Sequence, residues 1–182
     1  PELSYLLASM DEWASAADST WINALVEMKE LDQSHRADDA LTRHNDSLNL
    51  ERLITLTEHR GFPSPAIVGS SFGIVELLLW HHRFELGQNS RLDYYCDLAR
   101  MAMNECQIAP SFLAGLIDMQ AWNENKAMPY GSLISYFRNQ LDTLHLPELA
   151  TLNANRASVG LEPMEAFARM VDIPLEKLPI GK

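Results

Sequence analysis

The sequence is short of positive charge. Its 182 residues include 14 lysines and arginines against 25 aspartates and glutamates, which gives a formal net charge of −11 and an isoelectric point of about 4.9. Phosphate backbones and anionic membrane surfaces are bound mainly through an excess of lysine and arginine. The composition therefore argues against a nucleic-acid or membrane-surface function, and it is compatible with a small-molecule site or a basic protein partner.

Cysteines and long apolar runs are also scarce. The two cysteines, Cys96 and Cys106, fall in one predicted helix, where their separation corresponds to a rise of about 15 Å, too far for a disulfide. We expect both to be buried, reduced thiols on one apolar stripe, which favours a reducing compartment. The longest strongly apolar run, FGIVELLLW, is too short to span a bilayer, and the first residues lack the pattern of a signal peptide. We therefore expect a cytoplasmic protein.

Several catalytic and cofactor motifs are missing from the sequence. It contains no Gly-x-Ser-x-Gly elbow, no phosphate-binding loop and no dinucleotide fingerprint, so no cofactor is predicted. A divalent metal is an alternative, because Asp32, His35, His81, His82 and Asp118 are metal-ligand types. Their spacing, however, matches neither His-Glu-x-x-His nor the paired Glu-x-x-His motifs of di-iron bundles.

Helical periodicity dominates the chain, and no alternating strand pattern persists. We predict an all-α protein with a single domain over residues 1–182, an irregular bundle of about six to eight helices. The helix at 72–84 is apolar on nearly every side, which is typical of the central helix of a bundle. Residues 172–182 are expected to form a loose tail. The other predicted helices cover residues 2–16, 20–44, 48–60 (capped by Ser47), 89–106, 110–123, 132–142 and 147–160, with a last turn or two in EPMEAFARMV.

Polar side chains continue the apolar face of the second predicted helix. The stripe that includes Met28 leads into Asp32, His35 and Arg36 at helical spacing. Asp32 and Arg36 form an i,i+4 pair of opposite charge, which contributes only about 0.2–0.5 kcal/mol on a solvated surface. The stripe therefore either runs out into solvent or leads into a polar pocket, where a buried carboxylate needs partners.

Two further helices show similar interruptions. His81 and His82 follow the apolar run of the helix at 72–84, so at least one of the two rings must point near the interior. Asp118 shares a face of the helix at 110–123 with Gly115, and small residues there allow another helix to approach closely. Each position has a structural alternative, namely a hydrogen-bonded core histidine or a solvated aspartate.

These positions coincide with a family pattern. The quoted segments are DQSHR at 32–36, NLERLITLTEHRGFPSPAIVG at 49–69, LLLWHH at 77–82, LIDM at 116–119, YGSL at 130–133 and RASVGLEP at 156–163. In this order the chain resembles, over about residues 22–170, a bacterial and mostly helical family known only as a domain of unknown function. The family pattern has Asp-Gln-x-x-Arg, then Gln-His, Asp-Arg, Tyr-Gly-Thr-Gln and Arg-x-x-x-Gly-Leu-x-Pro.

The resemblance implies a set of site residues and also shows departures from the family pattern. His81 replaces the glutamine before the family histidine, Met119 replaces the arginine after the aspartate, and Ser132-Leu133 replaces Thr-Gln. The family label implies no reaction, so the chemistry is inferred from residue types. The matching polar residues are Asp32, Gln33, Arg36, His82, Asp118, Tyr130 and Arg156.

The resemblance brings these groups into one expected pocket, with the YGS and GFPSPAIVG loops at its mouth. We expect Asp32 and His82 to form an acid–base couple, with Asp118 and Tyr130 as further catalytic residues. The expected substrate-binding residues for a small anionic metabolite are Gln33, Arg36, His81 and Arg156. The function predicted from sequence is thus an acid–base enzyme or a binder of a small molecule, and a small-molecule ligand is favoured over a macromolecule.

One alternative function belongs to a different class. An acidic protein-interaction module, comparable to an immunity or antitoxin protein, would use the negative surface to bind a basic partner. The buried polar groups would then be structural. The two functions differ in whether Asp32, His82 and Arg36 meet at one concavity.

Overall fold

A computed structural model of the chain describes residues 18–34, 37–81 and 91–182. These residues form eight α-helices with short 3-10 turns and no strand, which confirms the all-α prediction. The contacts group into two compact units, Pro1–His82 and Arg83–Lys182, and the single domain stays a prediction. The helices are α1 Ser19–Gln33, α2 Asp39–Arg60, α3 Pro65–Val68, α4 Phe72–His81, α5 Arg91–Asn104, α6 Pro110–Asn123, α7 Leu149–Ser158 and α8 Met164–Met170.

The first unit, Pro1–His82, is organised around α1. Asp18 caps this helix, because its carboxylate accepts hydrogen bonds from the backbone N–H groups of Thr20 (2.9 Å) and Trp21 (3.2 Å). The predicted apolar stripe is buried, and α2, α3 and α4 all pack against α1. The buried side chains of α1 are Trp21, Ala24, Leu25, Met28 and Asp32.

The predicted boundary between the second and third helices is wrong. The sequence predicted helices at 20–44 and 48–60, whereas α1 ends at Gln33 and one long helix, α2, begins at Asp39. Ser34 already has extended backbone angles, and Asp38 accepts hydrogen bonds from two backbone N–H groups of the first turn of α2. A strong N-cap thus starts the helix nine residues before Ser47, the cap that we predicted.

The apolar helix α4 packs against α1 and α2. It covers Phe72–His81, in agreement with the predicted start at residue 72, and the predicted residues 82–84 lie outside the described part of the chain. Val75, Leu78 and Leu79 form its buried face. His81, the last residue of this helix, follows that buried face and is itself only partly exposed.

In the second unit, Arg83–Lys182, α5 and α6 pack along each other. The prediction that both cysteines lie on one buried helical stripe is wrong for Cys106. The helix α5 ends at Asn104, and Cys106 lies in the following turn with a φ of 57° and an exposed side chain. Cys96 is buried as predicted, and burial, followed by the charge of Asp93, raises its pKa to about 12.

The predicted helix at 132–142 does not form. Residues 132–137 make turns, and only Arg138–Thr143 forms a 3-10 segment. The backbone N–H of Ser132 donates to a side chain of α6 instead of starting a helix, and Gly131 has a φ of +59°. Tertiary hydrogen bonds therefore override the local helical pattern here.

The expected loose tail is packed instead. Leu175–Lys177 forms a 3-10 turn, and Ile180 makes an isolated parallel bridge with Leu146. Ile173 and Leu178 are buried. The apolar residues of 172–182 thus find partners within the second unit, which corrects the prediction of a loose segment.

Taken singly, no helix in the described ranges has the length and apolar character needed to cross a membrane. One bent pair, Ala40–Arg60 with Pro65–His81, reaches that length and composition only when the two helices are combined.

Candidate functional site

A carboxylate and an imidazole meet inside the first unit. The Nδ1 atom of His81, on α4, lies 3.0 Å from Oδ1 and 2.9 Å from Oδ2 of Asp32, on α1. Asp32 is 1% exposed, whereas the His81 side chain is 26% exposed. The pair therefore joins a carboxylate that is shielded from water to a ring that water reaches.

Local structure places Asp32 at this position. It belongs to the last turn of α1, on the same face as the buried Met28, and the burial of that face carries the carboxylate inward. Gln33, which is exposed, donates from Nε2 to Oδ2 of Asp32 at 2.5 Å. Burying a carboxylate costs free energy unless it is hydrogen-bonded, and the contacts with Gln33 and with the His81 ring offset part of that cost.

Two asparagines of α2 hold the turn that carries Asp32. Asn49 donates from Nδ2 to the carbonyl oxygen of Met28 at 2.8 Å, and Asn45 donates to that of Leu31 at 3.3 Å. Both asparagine side chains are buried. The sequence analysis missed these residues, although their i,i+4 spacing on one helix face was a visible signal.

The observed pair differs from the expected one in its histidine. The sequence predicted that Asp32 would pair with His82, and it assigned His81 to substrate binding. The structure instead brings His81 to Asp32, and the predicted site residues His82 and Arg36 lie outside the described residues, as does His35. The role of His82 therefore stays a prediction, while the Asp32–His81 contact is a feature of the fold.

The predicted site residues of the second unit form another hydrogen-bonded group. Asp118, on α6, is 0% exposed, and its Oδ1 accepts a hydrogen bond from the backbone N–H of Tyr130 at 2.9 Å. Its Oδ2 accepts from both the backbone N–H and the hydroxyl of Ser132, each at 2.6 Å. All three donors belong to the loop 129–132, which we call the Tyr130 loop.

Arg156, on α7, holds the same loop from its carbonyl side. Its Nη1 donates to the carbonyl oxygen of Tyr130 at 2.7 Å, and its Nε donates to that of Glu162 at 2.6 Å. The guanidinium carbon lies 4.7 Å from the ring centroid of Phe167. Arg156 is 1% exposed, and its Nη2 also lies 3.8 Å from Oε1 of the Glu162 carboxylate.

A third side chain completes the attachment of the Tyr130 loop. Asn155 donates from Nδ2 to the carbonyl oxygen of Pro129 at 3.1 Å. Gly131 has a positive φ, and a Cβ atom there would lie 2.5 Å from Cε of Met164. The loop is therefore fixed by α6 on one side and by α7 on the other, with the half-buried Tyr130 at its centre.

Burial and hydrogen bonding act in opposite directions on Asp118. Burial raises the pKa of Asp118 to about 6, although the hydrogen bonds from Ser132 and Tyr130 and the charge of Arg156 lower it. Burial also lowers the pKa of Arg156, against the opposing effects of Glu162 and Asp118. Asp118 and Arg156 are thus a buried acid and a buried base that both hydrogen-bond to the Tyr130 loop.

Over residues 18–34, 37–81 and 91–182, no group of three or more His, Cys, Asp or Glu side chains lies close enough together to hold a metal ion.

Comparisons with known proteins give no relatives for this chain. No protein family matches the sequence, no curated protein matches it, and no solved structure matches the fold. The resemblance to the helical domain-of-unknown-function family therefore stays a prediction.

Proposed function

We propose that the protein binds a small anionic molecule at His81 and performs acid–base chemistry on it. The observation that supports this proposal is the pairing of a buried carboxylate with a partly exposed imidazole, at 2.9–3.0 Å from Nδ1. Asp32 is the orienting residue in this proposal, and His81 is the residue that touches the ligand. Gln33 donates a further hydrogen bond to the Asp32 carboxylate.

The chemistry follows from the two nitrogens of the ring. A carboxylate at Nδ1 keeps a proton on that nitrogen and fixes the ring orientation, so Nε2 is the atom that gains or loses a proton. When Nε2 carries a proton, the ring is a cation that attracts a carboxylate or phosphate group. When it does not, Nε2 is a base for an acidic proton of the ligand.

A purely structural pair is the main competing explanation. Such a pair would join two helices, and Asp32 and His81 do join α1 to α4. In that case the ring would not respond to small anions, and removal of the carboxylate would affect stability alone. The 26% exposure of His81 supports a ring that a ligand can reach.

The test uses the imidazole nitrogens as reporters. Inorganic phosphate, acetate and a library of small carboxylates and phosphates are titrated into ¹⁵N-labelled protein, and the ¹⁵N signals of His81 are followed by NMR. We expect saturable shifts at His81 Nε2 for at least one compound, lost in Asp32→Asn but retained in His44→Gln, whose ring is exposed on α2. Unchanged His81 signals with every compound would reject the proposal.

Two residues that carry the family resemblance, Asp118 and Arg156, both hydrogen-bond to the Tyr130 loop, and Asp32 contacts His81, which stands where the family has glutamine. This arrangement supports the proposal that the chain is a distant relative of that family. Both described cysteines are free, which supports the proposal of a cytoplasmic location.

The second candidate function is an acidic protein-interaction module. The observation in its favour is that three large apolar side chains of the second unit are mostly exposed: Met101 (60%), Tyr136 (66%) and Met170 (72%). Together with the net charge of −11, they suit a basic partner with apolar contacts. For this function, Tyr136→Ser with Met170→Ser should weaken partner binding, whereas Asp32→Asn should leave it unchanged.

A further inference from the structure

We infer that Asn49 is a positioning residue for the Asp32–His81 pair. Its side-chain amide fixes the place of the Asp32 carboxylate and, through it, which nitrogen of the His81 ring carries the proton. The inference rests on the function proposed for His81, because that function needs Nε2 as the reacting nitrogen. Asn49 acts through Asp32 and is assigned no contact with the ligand.

Asn49 and the backbone of Asp32 share one acceptor. The Nδ2 atom of Asn49, on α2, donates to the carbonyl oxygen of Met28, on α1, at 2.8 Å. In an α-helix each carbonyl accepts from the N–H group four residues later, so the helical donor to Met28 is the backbone N–H of Asp32. The Asn49 amide therefore fixes the oxygen to which the backbone of Asp32 is bonded.

This shared acceptor lies in the interior of the first unit. Asn49 is 1% exposed and Met28 is 0% exposed. A buried polar group that loses its partner costs free energy, which favours the arrangement that keeps the hydrogen bond. One turn earlier on α2, Asn45 donates over a longer distance, 3.3 Å, to the carbonyl oxygen of Leu31. The Asn49 contact is thus the stronger of two that hold the last turns of α1 on α2.

The contact between Asp32 and His81 is sensitive to small movements of the carboxylate. Nδ1 of the ring lies 3.0 Å from Oδ1 and 2.9 Å from Oδ2, so the two oxygens share it nearly equally. A shift of about 1 Å takes both oxygens beyond hydrogen-bonding distance. Since α2 packs against both α1 and α4, the helices that carry the pair, the seat of α1 on α2 decides whether the pair forms.

The consequence for the His81 ring is a choice of tautomer. A carboxylate at Nδ1 keeps the proton of the neutral ring on that nitrogen and leaves Nε2 unprotonated. When Asp32 is displaced, its carboxylate no longer holds the proton at Nδ1, and the tautomer with a proton on Nε2 gains population. Asn49 therefore governs how much of the neutral ring has Nε2 available as a base.

Long-range ¹H–¹⁵N NMR spectra of the His81 ring, recorded on the full chain without a ligand, test this inference. On the alkaline plateau of a pH titration, Nδ1 of the unmodified protein should give the signal of a protonated nitrogen and Nε2 that of an unprotonated one. Asn49→Leu keeps the approximate size of the side chain and removes the donor. In this variant we expect the two signals to move toward each other, as the ratio of the tautomers changes roughly fivefold.

Leu53→Ala is the matched control for a general loss of stability. Leu53 lies one turn after Asn49 on α2 and is fully buried, so its truncation also destabilises the first unit, but its side chain has no donor for a carbonyl of α1. The His81 signals of this variant should match those of the unmodified protein. Unchanged signals in Asn49→Leu, or equal shifts in Leu53→Ala, would overturn the inference.

Hydrogen exchange in the unmodified protein adds a test that needs no variant to fold. The side-chain amide of Asn49 should be protected from exchange together with the backbone N–H of Asp32, and rapid exchange of the Asn49 amide would overturn its positioning role. Neither measurement uses a ligand. Both can fail while His81 still binds anions, and anion binding can fail while the tautomer still depends on Asn49.

Discussion

Asn49 donates a hydrogen bond from Nδ2 to the carbonyl oxygen of Met28, at 2.8 Å, and so joins α2 to α1 one turn before Asp32. Both residues are buried. This buried hydrogen bond therefore helps to hold the turn of α1 that carries Asp32.

We expect Asn49→Ala to lower the free energy of unfolding by about 1–3 kcal/mol, because it removes a buried hydrogen bond and leaves space behind. Urea denaturation followed by circular dichroism measures this change. Asn23→Ala, at an exposed position on α1, is the matched control and should stay within about 0.5 kcal/mol of the wild type. Equal effects of the two substitutions would contradict the assigned role of Asn49.

Substitution by alanine should change stability in opposite directions at Gly131 and at Gly115. We expect Gly131→Ala to destabilise the protein by about 1–3 kcal/mol, because its φ is +59° and the new Cβ would lie 2.5 Å from Met164 Cε. Gly115→Ala should be stabilising by about 0.5–1 kcal/mol, because Gly115 lies within α6 and has open space around its Cβ position. Thermal and urea unfolding of the two variants give the comparison.

Arg156 supplies two donors that a lysine cannot place in the same geometry. We expect Arg156→Lys to destabilise the second unit by about 2–4 kcal/mol, because the carbonyl oxygens of Tyr130 and Glu162 depend on its Nη1 and Nε. Arg169→Lys is the control, since Arg169 is exposed on α8. Hydrogen exchange of the second unit, measured alongside urea unfolding, assigns the loss. A neutral Arg156→Lys would mean that these two hydrogen bonds contribute little.

The cysteines should differ sharply in reactivity. Iodoacetamide reacts with thiolates, so at pH 8 the exposed Cys106 should be alkylated, while the buried Cys96, with a pKa of about 12, should react only after unfolding. Mass spectrometry of the folded protein should show one added group, and Cys106→Ser should show none. Rapid alkylation of Cys96 in the Cys106→Ser protein would indicate that α5 opens easily.

The helical pattern could be predicted from sequence because each helix buries its own stripe. The apolar stripe that includes Met28 identified the inner face of α1, and the helix predicted at 110–123 matches α6 residue for residue. The boundary near residues 34–38 was missed, since competing caps at Asp38 and Ser47 look alike in sequence. Which of the two residues starts the helix depends on the packing of α1 against α2.

The sequence predicted which carboxylates belong to the candidate sites, but it did not predict all of their hydrogen-bond partners. Asp32 and Asp118 were expected inside, and both are buried. The contact of Asp32 with His81 was not expected, because adjacent histidines on a helix point about 100° apart and only packing selects between them. The support from Asn49 and Asn155 required knowing which carbonyl groups face these side chains.

The order of apolar and polar residues along the chain determined by itself that this protein is helical, since helical periodicity is a local property, and it marked Asp32 and Asp118 as candidates for burial. The tertiary structure decided which groups meet: Asp32 with His81 in the first unit, and Asp118 with the backbone of Tyr130 in the second. Hydrogen bonds act over about 3 Å, whereas sequence spacing fixes only which face of a helix a side chain occupies. Contacts between helices therefore depend on how the apolar faces pack, and that packing is a property of the whole unit.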